Sequence, residues 1–152
     1  MANSETFTVE TVLAPVDGSD ESATAVEYAI AIADRYEASV HVLYVLGRGV
    51  YRGMDTGTID EMDVSDQTRN FLEDVRVHAQ QREIPVSMSV AHGFSQSRKT
   101  LHPGSVVLDT ADEVGVEFIV IPREQGTEST ADVLEKVAEY VLAYASQPVL
   151  SV

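Results

Sequence analysis

The stretch EFIVIPREQGTESTADVLEK, Glu117 to Lys136, passes from an apolar run to an amphipathic pattern through a short polar loop. Strand, tight loop and helix can cradle a phosphate on backbone N–H groups at the helix start. That chemistry needs glycines, so that the backbone can approach the ligand. Here Gly126 is the only glycine from Pro122 onward, Pro122 has no N–H to give, and Glu124 and Glu128 add negative charge. A second pattern points the other way. Arg48 and Arg52 follow one apolar run, Arg98 and Lys99 a second, and Arg123 a third. On one rim they would suit a small anion held by side chains, since guanidinium forks fit phosphate or carboxylate. The competing reading pairs them with acids such as Asp55 and Glu124.

Other chemistry is thin. Cysteine is absent, which excludes disulfides, thiolate catalysis and thiolate zinc sites. His41, His78, His92 and His102 show no metal-ligand spacing, so no metal is expected. GRGVYRG, from Gly47, lacks a following helix and reads as a mobile linker. No Ser–His–Asp set or carboxylate pair of catalytic spacing stands out, and no enzyme is expected. Asp17, after the first apolar run, is the best single site candidate. It could meet a ligand, or accept backbone N–H groups at the next helix start.

The elements that must position these residues alternate. TVLAPVD and SVHVLYVL read as buried strands, PVSMSVA as a half-exposed strand, EFIVI as a fourth and PVLSV as a last short one. A first helix follows Gly18, capped by Ser19 or Asp20, with Ala23, Val26, Ile30 and Ala33 inward. A second turns Val64, Thr68, Phe71, Leu72, Val75 and Ala79 inward. The third carries Val107, Ala111 and Val114 and ends at Gly115. The fourth starts at Ser129 or Thr130, with Val133, Leu134, Val137, Val141 and Leu142 inward. HGFSQSRKTLHPG, between the third strand and third helix, reads as a polar loop. Alternation of this kind predicts an α/β, mainly parallel sheet covered on both faces. A chain of 152 residues, 44% hydrophobic, suffices for a single domain over 1–152, with 1–8 as a flexible extension.

Charge narrows the partners. There are 25 acids against 10 bases, a net −15, which disfavours nucleic acid and anionic membranes. Only Lys99 and Lys136 are lysines. Few lysines and many carboxylates suit a protein kept soluble in high salt, hence a halophilic source. No apolar run reaches about 18 residues and no signal-peptide pattern opens the chain, so a cytoplasmic protein is expected.

The segments VLAPVDGSDESATAVEYAIAIADRYEASVHVLYVL, GSVVLDTADEVGVEFIVI and VAEYVLAYASQPVLSV resemble the universal stress protein family along nearly the whole chain. The resemblance implies a Rossmann-like three-layer sandwich, a five-stranded parallel sheet in the order 3-2-1-4-5 with about four helices. It places nucleotide, where members bind it, at the carboxyl ends of strands one, two and four, with Asp17 on the ribose or adenine, Val45 on the adenine, and Pro15 and Val16 in the pocket floor. The nucleotide binders carry G-x2-G-x9-G-[ST] after strand four. Those positions here are Pro122, Gln125, Glu135 and Lys136, and none matches. Gly126 alone cannot rebuild the motif. ATP held in the family's way is therefore not expected, and no cofactor is. The remaining anion candidates are Arg48, Arg98 and Arg123. Members are commonly homodimers through the last strand, which here would use Val149, Leu150, Ser151 and Val152. The reading that follows is a non-catalytic, dimeric stress-response module acting through protein contacts. The alternative is a sensor binding a nucleotide or another anion.

Overall fold

The computed structural model describes residues 7–47, 53–92, 102–123 and 133–152, with His92 and 133–136 as backbone only. Its strands are β1 (Thr11–Val16), β2 (Ser39–Leu46), β3 (Val86–His92), β4 (Phe118–Ile121) and β5 (Val149–Ser151). The longer helices are α1 (Asp20–Tyr36), α2 (Glu61–Gln81), α3 (Pro103–Val114) and α4 (Val133–Tyr144), and a further short helical segment covers 53–55. The strands form one sheet in the order β3-β2-β1-β4-β5, and every pairing is parallel. The expected topology is therefore observed.

Burial follows the pleat. Even positions of β1 and β2, such as Val12, Ala14, Val40 and Val42, pack with α1 and α2. Odd positions, such as Leu13, Leu43 and Val45, join Ile119, Ile121, Val107 and Val141 under α3 and α4. Both faces of the central strands are covered, which is why their sequences are apolar throughout. β3 is an edge and only half-covered: Val90 is 51% exposed.

Local signals set the helix ends. Ser19 caps α1, its Oγ accepting the Ser22 N–H at 3.1 Å. Gly115 ends α3 in the left-handed conformation, as expected. Three inward assignments are corrected. Ala23 is only half-buried, and Ser22 and Ala25 turn inward instead. Val114 lies in the last turn of α3 and is exposed. Leu142 is 55% exposed, while Ala138 fills the inward position. The polar loop is also shorter than its composition implies. His92 belongs to β3, and Pro103 and Gly104 open α3, since proline suits a helix's first turn.

A single carboxylate fastens the amino end of the sheet. Glu117 Oε1 accepts the N–H groups of Glu10 and Thr11, each at 2.9 Å. It thereby ties the start of β4 to the start of β1.

Candidate functional site

The carboxyl end of β1 turns into α1 through Asp17, Gly18 and Ser19. Asp17 Oδ1 accepts the Ser19 N–H at 3.0 Å, a turn that a short carboxylate makes with its own backbone. The Asp17 N–H reaches Ser22 Oγ at 3.4 Å, and Ser22 Oγ donates to the Ser19 carbonyl at 2.9 Å. Gly18 takes φ 86°, which glycine adopts without strain. An added Cβ there would lie against the Tyr44 hydroxyl. Tyr44, on β2 beside Val16, donates its hydroxyl to the Asp17 carbonyl at 3.3 Å. Its ring meets Phe71 of α2 edge-on, with centroids 5.8 Å apart. The turn is thus clamped between β2 and α2.

Electrostatics marks the same residues. Burial pushes the Asp17 carboxyl above its usual range, against opposing hydrogen bonds from Ser19 and Ser22. Burial also raises the Tyr44 hydroxyl; the bond to Thr68 opposes this and the Asp17 charge adds to it. A carboxylate held where ionisation is disfavoured is a feature of functional positions.

Of the residues expected to line a nucleotide pocket, Pro15 and Val16 are buried at the end of β1. Val45 is buried on the α3/α4 face of β2. Pro122 is buried just past β4, and Arg123 beside it is exposed. The Arg123 N–H donates to the Val152 carbonyl at 2.7 Å, and the Val152 N–H returns to Ile121 at 3.0 Å. This ladder continues the pairing of β4 and β5 past Ile121 and Ser151. The N–H after Pro122 is therefore spent within the sheet. Arg48, Arg52, Arg98, Lys99, Gln125 and Gly126 lie outside the described residues, as do the Ser129 and Thr130 helix start and the side chain of Lys136.

Two histidines have roles that the sequence reading missed. His41 is buried on β2, and its ring nitrogens meet Ser87 Oγ at 2.7 Å and Ser89 Oγ at 2.9 Å across to β3. Burial lowers its pKa. The signal was the alternation of SMSV opposite a histidine in an otherwise apolar strand. His102 caps α3, its Nδ1 accepting the Gly104 N–H at 2.9 Å. Its ring stacks on Tyr140 at 4.4 Å. Gly104 permits this approach, because a Cβ would meet the Tyr140 ring. Among the described residues, no group of three or more histidine or acidic side chains could hold a metal ion.

Residues 8–152 match the model of the universal stress protein family. The chain belongs to that family. A universal stress protein of Methanocaldococcus jannaschii is 26% identical over 145 residues, covering 93% of this chain and 80% of the relative. Among solved structures, the universal stress protein UspA of Lactobacillus plantarum superposes with a TM-score of 0.74 at 20% identity, over 97% of this chain and 99% of its own. A universal stress protein from Archaeoglobus fulgidus in complex with dAMP superposes with a TM-score of 0.62 at 19% identity, over 95% and 97%. These structures establish the Rossmann-like fold. No helix among the described residues is long and apolar enough to cross a membrane.

Proposed function

We propose that this universal stress protein is a non-catalytic module that acts through protein contacts, as a homodimer and without an obligatory nucleotide. One observation carries the reading: the polar backbone at the strand-four corner is engaged internally. Pro122 has no N–H, and the Arg123 N–H is held by Val152. A phosphate there would have to displace a sheet bond. The dimer would form through β5, an edge strand whose Val149, Leu150, Ser151 and Val152 are half-exposed. The lysine-poor, acid-rich surface fits a protein working in high salt, in the cytoplasm of a halophilic organism.

Titration calorimetry with ATP and magnesium tests the nucleotide part. No heat of binding is expected, and micromolar affinity would overturn the reading. Sedimentation of a Leu150→Glu variant tests the interface. It should sediment as a smaller species than the parent, and an unchanged sedimentation coefficient rejects β5.

A second reading has its own support. The Archaeoglobus relative holds dAMP on this fold, and Asp17 keeps a carboxyl where burial disfavours its charge. A nucleotide with a single phosphate could use Asp17 and Val45 and rely on Arg123 instead of a glycine nest. Native mass spectrometry of freshly purified protein separates the two. A co-purifying nucleotide supports the second reading, and a bare polypeptide mass supports the first.

A further inference from the structure

β5 is one edge of the sheet, with three residues; β3 is the other, with seven. Among the described residues no strand pairs with the outer side of β3. Its inner side is fixed by the parallel ladder to β2, in which the Val40 N–H donates to the Pro85 carbonyl at 3.0 Å. Residues of that parity face β2. The N–H and carbonyl groups of Val86, Met88 and Val90 therefore point outward, with no strand partner among the described residues.

Such an edge is normally guarded by lysine, proline or a bulge. From Val86 to Ala91 there is no charged residue and no proline, in a chain with 25 acids. Repulsion between two copies of a molecule with net charge −15 is least where the contact is uncharged, and this strip is. Its sequence is also symmetric. Val86-Ser87-Met88-Ser89-Val90 reads the same in both directions about Met88.

From this symmetry we infer that β3 is a self-pairing edge, joining antiparallel to β3 of a second copy about a two-fold axis at Met88. In that register Met88 faces Met88 of the partner subunit, and Val86 faces Val90 of the partner subunit. These positions carry the outward backbone groups, so each opposed pair exchanges two hydrogen bonds. The side chains agree as well. The valines and methionines form one apolar row beside α2, and the serines, already bonded to His41, lie together on the opposite face. The contact is isologous, as a two-fold interface requires. It is independent of β5, and pairing at both edges would extend the assembly beyond a dimer.

The absence of cysteine makes the test specific. Met88→Cys places the thiol on the axis, with Cα atoms about 5.5 Å apart in a hydrogen-bonded pair, within disulfide reach. Val90→Cys places two thiols about 13 Å apart along the strands, out of reach. Mild oxidation in high salt should give a covalent dimer from Met88→Cys and none from Val90→Cys, with both folded by circular dichroism. Adding Val90→Pro removes an outward N–H and leaves the β2 ladder intact, and it should abolish the crosslink. Adding Leu150→Glu should leave the crosslink, because β5 is not involved. Equal crosslinking of the two cysteine variants overturns the inference. So do a crosslink that survives Val90→Pro and one that is lost with Leu150→Glu.

Discussion

Replacing Gly18 with alanine probes how the turn after β1 is held. Two costs combine. A residue with a Cβ at φ 86° costs about 1–2 kcal/mol in the left-handed region. The new methyl would also overlap the Tyr44 hydroxyl, and overpacking typically costs about 1–3 kcal/mol. Urea denaturation of Gly18→Ala should therefore show a loss of about 2–5 kcal/mol. Tyr44→Phe separates the terms. Alone it removes the 3.3 Å bond to the Asp17 carbonyl, worth about 0.5–1.5 kcal/mol. It also removes the clashing atom, since the next ring atom lies 3.4 Å from the added Cβ. In the phenylalanine background, Gly18→Ala should cost only the backbone part, so the cycle should show coupling of about 1–3 kcal/mol, the overpacking part. An alanine penalty equal in both backgrounds would refute the clamp between Tyr44 and this turn.

Three further outcomes are expected. Burial raises the Asp17 pKa, so the native state binds more protons than the unfolded state between pH 3.8 and the raised value, and its contribution to stability falls as pH rises through that window. Asp17→Asn keeps an oxygen for the Ser19 N–H and should be at least as stable at neutral pH; a loss above about 1 kcal/mol there would show that the charge stabilises α1. Burial lowers the His41 pKa, so the native state binds fewer protons, and stability should be lost as pH falls below 6.5. Urea midpoints between pH 7 and 5 should fall less steeply in His41→Ala; identical slopes would argue against a buried, neutral His41. Finally, thermal unfolding should shift to lower temperature as salt is removed, because unscreened carboxylates repel, and an unchanged midpoint in dilute buffer would argue against a high-salt design.

The strands and the helix stripes were legible because period and burial are one signal, whereas the strand order came only from the resemblance to the family. TVLAPV and SVHVLYVL are apolar at every step only if both faces are covered. The errors fall where that signal weakens, at helix ends. Val114 continues the stripe of Val107 and Ala111 but falls in the last turn of α3 and is exposed, and Leu142 lies on the outer side of α4 beside the fully buried Val141. Ser22 was missed because a serine inside a helix carries no apolar signal. It is buried because its hydroxyl answers the Ser19 carbonyl. At the site, Asp17 was found by position, and its carboxylate accepts an N–H at the helix start as one of its two readings required. The clamp by Tyr44 was invisible, because it depends on register between β1 and β2. The roles of His41 and Glu117 depend likewise on partners 46 and 106 residues away.

That last separation bears on how the chain is made. β1 lies at the centre of the sheet, yet its second neighbour is β4, encoded more than 100 residues later. A growing chain can assemble β1, β2 and β3 with their helices while one flank of β1 remains open. Glu117 is the residue that arrives to close it, taking two N–H groups at the start of β1 as β4 emerges. Until then the nascent protein presents a bare central edge to the ribosome's surroundings. The most buried strand of the finished molecule is thus the one that spends longest half-paired during synthesis.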